Sequence, residues 1–567
     1  MEPSLLFCTV LVAMVTKNLV NGQYSQPIVK TTKGTFLGID VPFSTGFLTK
    51  SQNVHAFLGI PFAKPPTGER RFKMPEPVDS SDGSYNATQM PPQCSQGETP
   101  FLRPILTATD MSEDCLYLNV FVPSNSPRNA AVMVWIHGGG FAFGYGLNIP
   151  TNHVALAAIG DVIVVTFNYR LGILGLLSTG DDNISPNLAL FDQREALKWV
   201  YENIEAFGGD PNRVTIFGES SGGASVGWHI LSSESRQYFQ RAILQTGNPL
   251  DPWANLLTRS EAFERAQMTA ALAGCDSTNN GSAILYCLGE KTVEELIAIP
   301  SLGRWSPVND GIFFKSSVPE LLQKGAYQGI DVIIGTNRDD AFFLVYLASG
   351  FPKATPNITK TQFSSLLSGS SDSFIADLLE VIYSEDIQNT ESYVFGLIRG
   401  LTDSAYVCGM SNFARQVSTA GSRVYMYVLT HAPAQSLWNV SWSRAGHIEE
   451  SQFVFGLPFQ ALPQFSHPYD EIKISAYVMQ FWTNFAKTGD PNTSEDSREL
   501  PVPEWIPFTA ESEDYKEIDI GFSNKQKLRS HQCNFWENLL LEIRRLLGNV
   551  VYGLVPFHEY NYLNSCH

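Results

Sequence analysis

Short apolar runs recur along the chain, spaced so that a helix can lie between them. Ala131–Ile136, Val162–Phe167, Val214–Phe217, Ala242–Leu244, Val332–Ile334 and Val424–Leu429 are nearly continuous in apolar residues rather than alternating. Strands buried on both faces have this pattern. In Leu190–Phe207, the apolar residues Leu190, Leu197, Val200, Ile204 and Phe207 fall at three- and four-residue steps, which predicts an amphipathic helix. Gly208-Gly209 should stop it. Asn534–Leu547 predicts another, with Phe535, Leu539, Leu540, Ile543 and Leu547 on one side and Arg544-Arg545 near its end. Strands alternating with helices predict an α/β fold, with a large, mostly parallel, doubly wound sheet flanked by helices. Ile28 to Phe62 reads as antiparallel hairpin strands placed ahead of that sheet. The chain shows no internal repeat, low-complexity stretch or charged linker.

Leu5–Val15 is an apolar run outside that pattern, of signal-peptide length and too short to span a bilayer. Its n-region lacks Lys and Arg, and Val20 and Gly22 offer a cleavage point before Gln23. The expected organisation is a signal peptide over 1–22, one large α/β domain over 23–548 and a tail over 549–567. No later segment is long and apolar enough for a membrane helix. A secreted, extracellular protein is the expectation. Asn86, Asn280, Asn357, Asn439 and Asn492 then stand in glycosylation triplets, and the terminal Asn-Ser-Cys-His is not an ER-retention signal.

Composition narrows the classes further. Of 567 residues, 44% are hydrophobic and 12% aromatic, which supplies a core and excludes global disorder. The net charge of −18 argues against a nucleic-acid partner, whose phosphates it would repel. Loss of residues 1–22 removes Glu2 and Lys17 together and leaves that charge unchanged.

The candidate chemistry begins after the Val214–Phe217 run. Gly218-Glu219-Ser220-Ser221-Gly222 is Gly-x-Ser-x-Gly between a strand and a helix-compatible stretch. Its glycines permit a sharp turn that holds the middle serine at the strand tip. Ser221 is the nearest competitor as nucleophile, but only Ser220 has glycine at both pattern positions. A serine hydroxyl needs an adjacent base, and the attacked carbonyl needs donors for its oxyanion. His137-Gly138-Gly139-Gly140-Phe141, at the end of the Ala131–Ile136 run, has the form of an esterase oxyanion loop. Neither a dinucleotide-binding nor a Walker glycine pattern is present.

Longer motifs make a family resemblance. Phe207-Gly208-Gly209-Asp210 through Gly222 resembles the nucleophile signature of type-B carboxylesterases and cholinesterases. Glu113-Asp114-Cys115-Leu116-Tyr117-Leu118-Asn119-Val120 resembles their second signature, and Phe57–Pro66 their N-terminal motif. The resemblance implies the α/β-hydrolase fold and carboxylic-ester hydrolysis without metal or cofactor. It places the oxyanion donors on Gly139, Gly140 and Ser221. Gly335-Thr336-Asn337-Arg338-Asp339-Asp340-Ala341-Phe342 resembles the motif of the triad acid and assigns that role to Asp340. Most members carry Glu there; Asp is one methylene shorter, and Asp339 stays open as the alternative. Six histidines follow: His431, His447, His467, His531, His558 and His567. Spacing does not choose among them, but Gly446-His447-Ile448-Glu449-Glu450 resembles the family's histidine motif and points to His447. Thr246 resembles a hydroxyl beside the triad acid, Trp253 matches an acyl-pocket position, and Trp305 is expected nearby, with core packing the alternative for both tryptophans.

The same resemblance pairs Cys94 with Cys115, Cys275 with Cys287 and Cys408 with Cys533, and leaves Cys566 for an intermolecular bridge and a homodimer, or as an exposed thiol. Choline-binding relatives carry Trp between the first cysteine pair, over which a quaternary ammonium sits. Here Phe101 is the sole aromatic between Cys94 and Cys115. That favours a small-molecule carboxylic ester over acetylcholine; a cholinesterase or lipase of the same family is the alternative. A non-catalytic adhesion protein on this fold is the alternative of a different class, disfavoured by the retained Ser220, Asp340, His447 and glycine loops.

Overall fold

The apolar runs become the inner strands of an 11-stranded sheet. The computed structural model describes residues 26–45, 52–97, 110–125, 128–147, 153–181, 183–276, 279–301, 305–369, 373–387, 392–459, 467–495, 501–540 and 542–543. The signal segment, Cys8, Phe101, Leu547, the tail and Cys566 lie outside them. In chain order the strands are β1 Ile39–Phe43, β2 Gln52–Pro61, β3 Tyr117–Pro123, β4 Ala130–Ile136, β5 Ile163–Phe167, β6 Gly209–Glu219, β7 Arg241–Gln245, β8 Asp331–Asn337, β9 Val424–Leu429, β10 Asp514–Ile518 and β11 Asn524–Gln526. Across the sheet they stand in the order β11-β10-β9-β8-β7-β6-β4-β5-β3-β2-β1. The pairs from β5 through β10 are parallel. The remaining pairs, β3 with β5 and β2, β1 with β2, and β11 with β10, are antiparallel.

Alternation along each inner strand explains why the runs are continuous. Val132, Val134 and Ile136 of β4 point into one core layer, with Leu190, Leu197 and Val200 of helix α2. Ala131, Met133 and Trp135 point into the other, with Leu156 of α1 and Met479, Trp482 and Phe485 of α5. Here α1 is His153–Gly160, α2 Leu188–Asn203, α3 Ser221–Leu231, α4 Cys408–Thr419 and α5 Tyr469–Thr488. Helices α2, α3 and α4 cover the first face; α1 and α5 cover the second. Period-2 side chains therefore need an apolar residue at every position.

Four readings of the pattern change in detail. The predicted Leu190–Phe207 helix is α2 followed by a 3₁₀ turn over Ile204–Phe207, and Gly208 stops it in the left-handed region at φ +90°. The N-terminal hairpins divide: Ile28–Thr31 and Gly34–Leu37 form a small separate sheet with Ser84–Asn86, whereas β1 and β2 extend the large sheet. Strands β3, β10 and β11 join that sheet without having stood out as apolar runs. Finally, the Asn534–Leu547 face is shifted. Phe535–Leu539 is a π-helical turn, so after Phe535 and Trp536 burial resumes at Leu540, and Leu539 is 43% exposed. The wider i→i+5 spacing rotates Leu539 outward.

All three expected disulfides are present, Cys94–Cys115, Cys275–Cys287 and Cys408–Cys533. The last ties the C-terminal helix to α4 across a sequence separation of 125. Closing so long a loop restricts the unfolded chain most, by about 5 kcal/mol on the chain-entropy argument. The double variant Cys408→Ser/Cys533→Ser is expected to lose stability of about that size in urea unfolding. A loss under ~1 kcal/mol would contradict the entropic account. Among the described residues no helix is long and apolar enough to cross a membrane.

Candidate active site

The candidate residues gather where loops leave the carboxyl ends of β4, β6, β7, β8 and β9, the end at which parallel sheets place ligands. Ser220 follows β6 directly and precedes α3, with φ +57° and ψ −124°. That backbone is strained for a residue with a Cβ. Neighbouring strands hold it in place. The Ser220 N–H donates to Gln245 O at 2.9 Å. The flanking glycines are sterically required: a Cβ on Gly218 would lie 2.6 Å from Gly222 C, and one on Gly222 only 2.1 Å from Ile136 O.

The glycine loop after β4 packs on this turn. A Cβ on Gly138 would meet Glu219 O at 2.6 Å and Ser220 Cβ at 3.1 Å. Gly139 (φ +112°) faces Phe143 O, and Gly140 (φ +60°) faces open space. The N–H groups of Gly139 and Gly140 donate to no acceptor among the described residues. Ser221 opens α3, so its N–H has no intrahelical acceptor. These three donors thus lie on the two segments that adjoin Ser220, the glycine loop and the start of α3. His137 itself is a structural group. Burial holds its ring at about 4, hence neutral, and it stacks on Tyr169 with centroids 4.2 Å apart.

Of the six histidines considered, His447 reaches this turn. Its Nδ1 lies 2.5 Å from Asp340 Oδ1, and its Nε2 lies 3.2 Å from Glu219 Oε1, beside Ser220. Phe343 stacks on the ring at 4.4 Å, and Trp438 Nε1 donates to His447 O. Asp340 and not Asp339 makes the imidazole contact; Asp339 pairs with Arg338. Thr246 does not hold the acid. Its hydroxyl is buried without a hydrogen-bond partner among the described residues, and Thr336 Oγ1 donates to Asp340 Oδ2 instead, at 2.6 Å. The shorter Asp side chain keeps the carboxylate near its own strand.

Two carboxylates stand here that the sequence did not single out. Burial pushes Glu219 well above the usual carboxylate range, offset by His447. Burial likewise raises Glu450, which accepts from Asn337 Nδ2 and Gln245 Nε2. Burial would lower the His447 ring, but Glu219 and Asp340 outweigh it and push it up to about 9. Glu219 is the x of Gly-x-Ser and Glu450 follows His447 in its motif, but only the folded packing makes either a neighbour of the imidazole.

The two tryptophans separate. Trp253 packs against Tyr406 at 5.9 Å, and Tyr406 lies 5.9 Å from His447. Trp305 sits over Gly172, whose N–H donates to Phe141 O at the end of the glycine loop. Among the described residues, no group of three His, Cys, Asp or Glu side chains could hold a metal ion.

Comparison with known proteins fits this arrangement. The carboxylesterase family model matches residues 25–536. An acetylcholinesterase of Bungarus fasciatus is 35% identical over 555 residues, covering 93% of this chain and 89% of that protein.

Proposed function

Because the chain belongs to the carboxylesterase family, a family of serine ester hydrolases acting on small molecules, we propose that it is a secreted carboxylic-ester hydrolase working through Ser220, His447 and Asp340. The observation that carries this reading is the 2.5 Å contact of His447 Nδ1 with Asp340 Oδ1, made by a ring whose other nitrogen lies beside the Ser220 turn. In the first half-reaction His447 Nε2 takes the Ser220 proton as Oγ attacks the ester carbonyl. The Gly139, Gly140 and Ser221 N–H groups hold the oxyanion. His447 then gives that proton to the leaving alcohol, and an acyl-Ser220 ester remains. Water repeats the sequence, releasing the acid and restoring the serine. Asp340 keeps the proton on Nδ1 and stabilises the transient imidazolium.

The substrate side of the proposal rests on aromatics. The Cys94–Cys115 segment has no Trp, so the face that would attract a quaternary ammonium is absent from it. Trp253 and Trp305 are assigned to acyl-side walls of the site. Uncharged carboxylic esters are therefore expected to outperform choline esters. Three disulfides and exposed Asn86, Asn280, Asn357 and Asn439 support an extracellular setting. Asn492 is different: its Nδ2 donates to Asp490 Oδ1 and Trp505 O, and its Oδ1 accepts from Trp505 N.

The test is a panel of p-nitrophenyl acyl esters of increasing chain length beside a choline ester, with wild type and Ser220→Ala. Hydrolysis dependent on Ser220 and favouring uncharged esters supports the reading; preference for the choline ester overturns its substrate side. The base also sets a pH dependence. Neutral His447 is the active form, and the Glu219 carboxylate favours the protonated form. Removing that charge in Glu219→Gln lowers the imidazole pKa, so the acid limb of kcat/KM is expected to move to lower pH. An acid limb unmoved or moved upward contradicts this electrostatic role.

A further inference from the structure

The structure assigns Thr336 as the positioning residue of Asp340, a role that rests on the proposed Ser220–His447–Asp340 mechanism. Asp340 has two carboxylate oxygens and divides them between two tasks. Oδ1 faces His447 Nδ1 at 2.5 Å. Oδ2 accepts from Thr336 Oγ1 at 2.6 Å and from the Asn337 N–H at 2.8 Å. The other acceptor near the Thr336 hydroxyl, Asn337 O, is at 3.5 Å, so the proton points at the carboxylate. Thr336 is 1% exposed and Asp340 0%, and no solvent competes for these bonds.

Side-chain length explains why this hydroxyl and no other does the work. Asp340 lies four residues after Thr336, on the turn that closes β8. An aspartate on that turn reaches back to its own strand end. A hydroxyl on the adjacent β7 end is also present, at Thr246, whose N–H is tied to Gly335 O at 2.8 Å. Its Oγ1 is buried with no hydrogen-bond partner among the described residues. The chain thus carries two buried threonine hydroxyls near the acid loop and uses the one on the strand that bears the acid.

Two consequences follow for the imidazole. With Oδ2 held by two donors, the carboxylate cannot turn about its terminal torsion, and Oδ1 stays on Nδ1. The ring then keeps its Nε2 lone pair toward the serine. The Thr336 donor also takes up part of the carboxylate charge, which tempers how strongly Asp340 favours the imidazolium.

The experiment compares Thr336→Val, Thr336→Ser and Thr246→Val with wild type on one p-nitrophenyl ester, each rate divided by the active-site count from the p-nitrophenol burst. Thr336→Val keeps the shape and removes the donor. It is expected to lower kcat about ten- to thirtyfold with KM little changed, as for loss of one hydrogen bond to a buried charge. Its acid limb should move to higher pH, because the less solvated carboxylate favours protonated His447. Thr336→Ser should restore rate and limb, and Thr246→Val should leave both at wild type. Packing alone would change the active fraction without moving the acid limb. The assignment is overturned if Thr336→Val has wild-type kcat and acid limb per active site. It is equally overturned if Thr246→Val shows the loss, a result available even where Thr336→Val does not fold. Ser220→Ala, run beside them, separates the levels: a wild-type rate there sinks the mechanism itself, whereas an inactive Ser220→Ala with an unaffected Thr336→Val sinks only the positioning role.

Discussion

Replacing Ser220 with alanine is expected to lower ester turnover by about 10⁵- to 10⁶-fold per folded molecule, the scale on which removing a serine nucleophile disables a triad enzyme. That corresponds to roughly 7–8 kcal/mol of transition-state stabilisation at ~1.36 kcal/mol per decade. The oxyanion donors and the substrate contacts survive the substitution, so a small residual rate above water should remain. The fold should survive too. Ser220 is only half-buried, and alanine keeps the Cβ that the turn already accommodates. The check is steady-state hydrolysis by purified protein whose unfolding midpoint matches wild type. A residual rate above about one per cent, from a preparation free of wild type, would mean that Ser220 Oγ is not the attacking atom.

Gly222→Ala should instead destroy the site through the backbone. Its Cβ would lie 2.1 Å from Ile136 O and 2.9 Å from His137 O, both main-chain atoms at the end of β4. β4 cannot give way, because it is paired on one side with β5 and on the other with β6. Nor can α3 lift away without pulling Trp228 and Ile230 out of the core. Overpacking against rigid backbone exceeds the ~1–3 kcal/mol usual for an extra methyl group in a deformable core. The expected result is little or no folded protein, with esterase activity lost in proportion. Gly222→Ala recovered with a wild-type unfolding midpoint would refute the close-packed account of the turn.

These two residues also show which parts of the molecule the sequence discloses. A tight strand-to-helix turn imposes its glycines locally, so Gly218, Ser220 and Gly222 are legible without knowledge of the rest of the fold. The inner strands are legible for the same reason: two buried faces demand an unbroken apolar run. Peripheral strands such as β10, Asp-Tyr-Lys-Glu-Ile, alternate buried and partly buried positions and carry three charges in five residues, so they blend into the loops. His447 could be chosen among six histidines only through its motif, because the partner that identifies it lies 107 residues earlier. The hydroxyl behind the acid went astray for a more exact physical reason. Whether Thr246 or Thr336 serves depends on how far a carboxylate projects from its turn, and the length of one side chain decides that. Glu219 and Glu450 were in plain view within both motifs, but burial beside an imidazole is a property of the assembled core. The π-helical turn at Phe535–Leu539 displaced the expected apolar face by one residue, which a period of 3.6 cannot anticipate.

The central claim is a covalent acyl-enzyme on one serine. Its most direct test is to react the mature protein with a slowly deacylating p-nitrophenyl ester, quench it in acid, and locate the adduct by mass spectrometry of the digested chain. The account predicts one acyl group per active molecule, on Ser220, released with the time course of the second half-reaction and absent from Ser220→Ala. An acyl group on Ser221 or any other residue, or steady turnover with no adduct at any time, would contradict it.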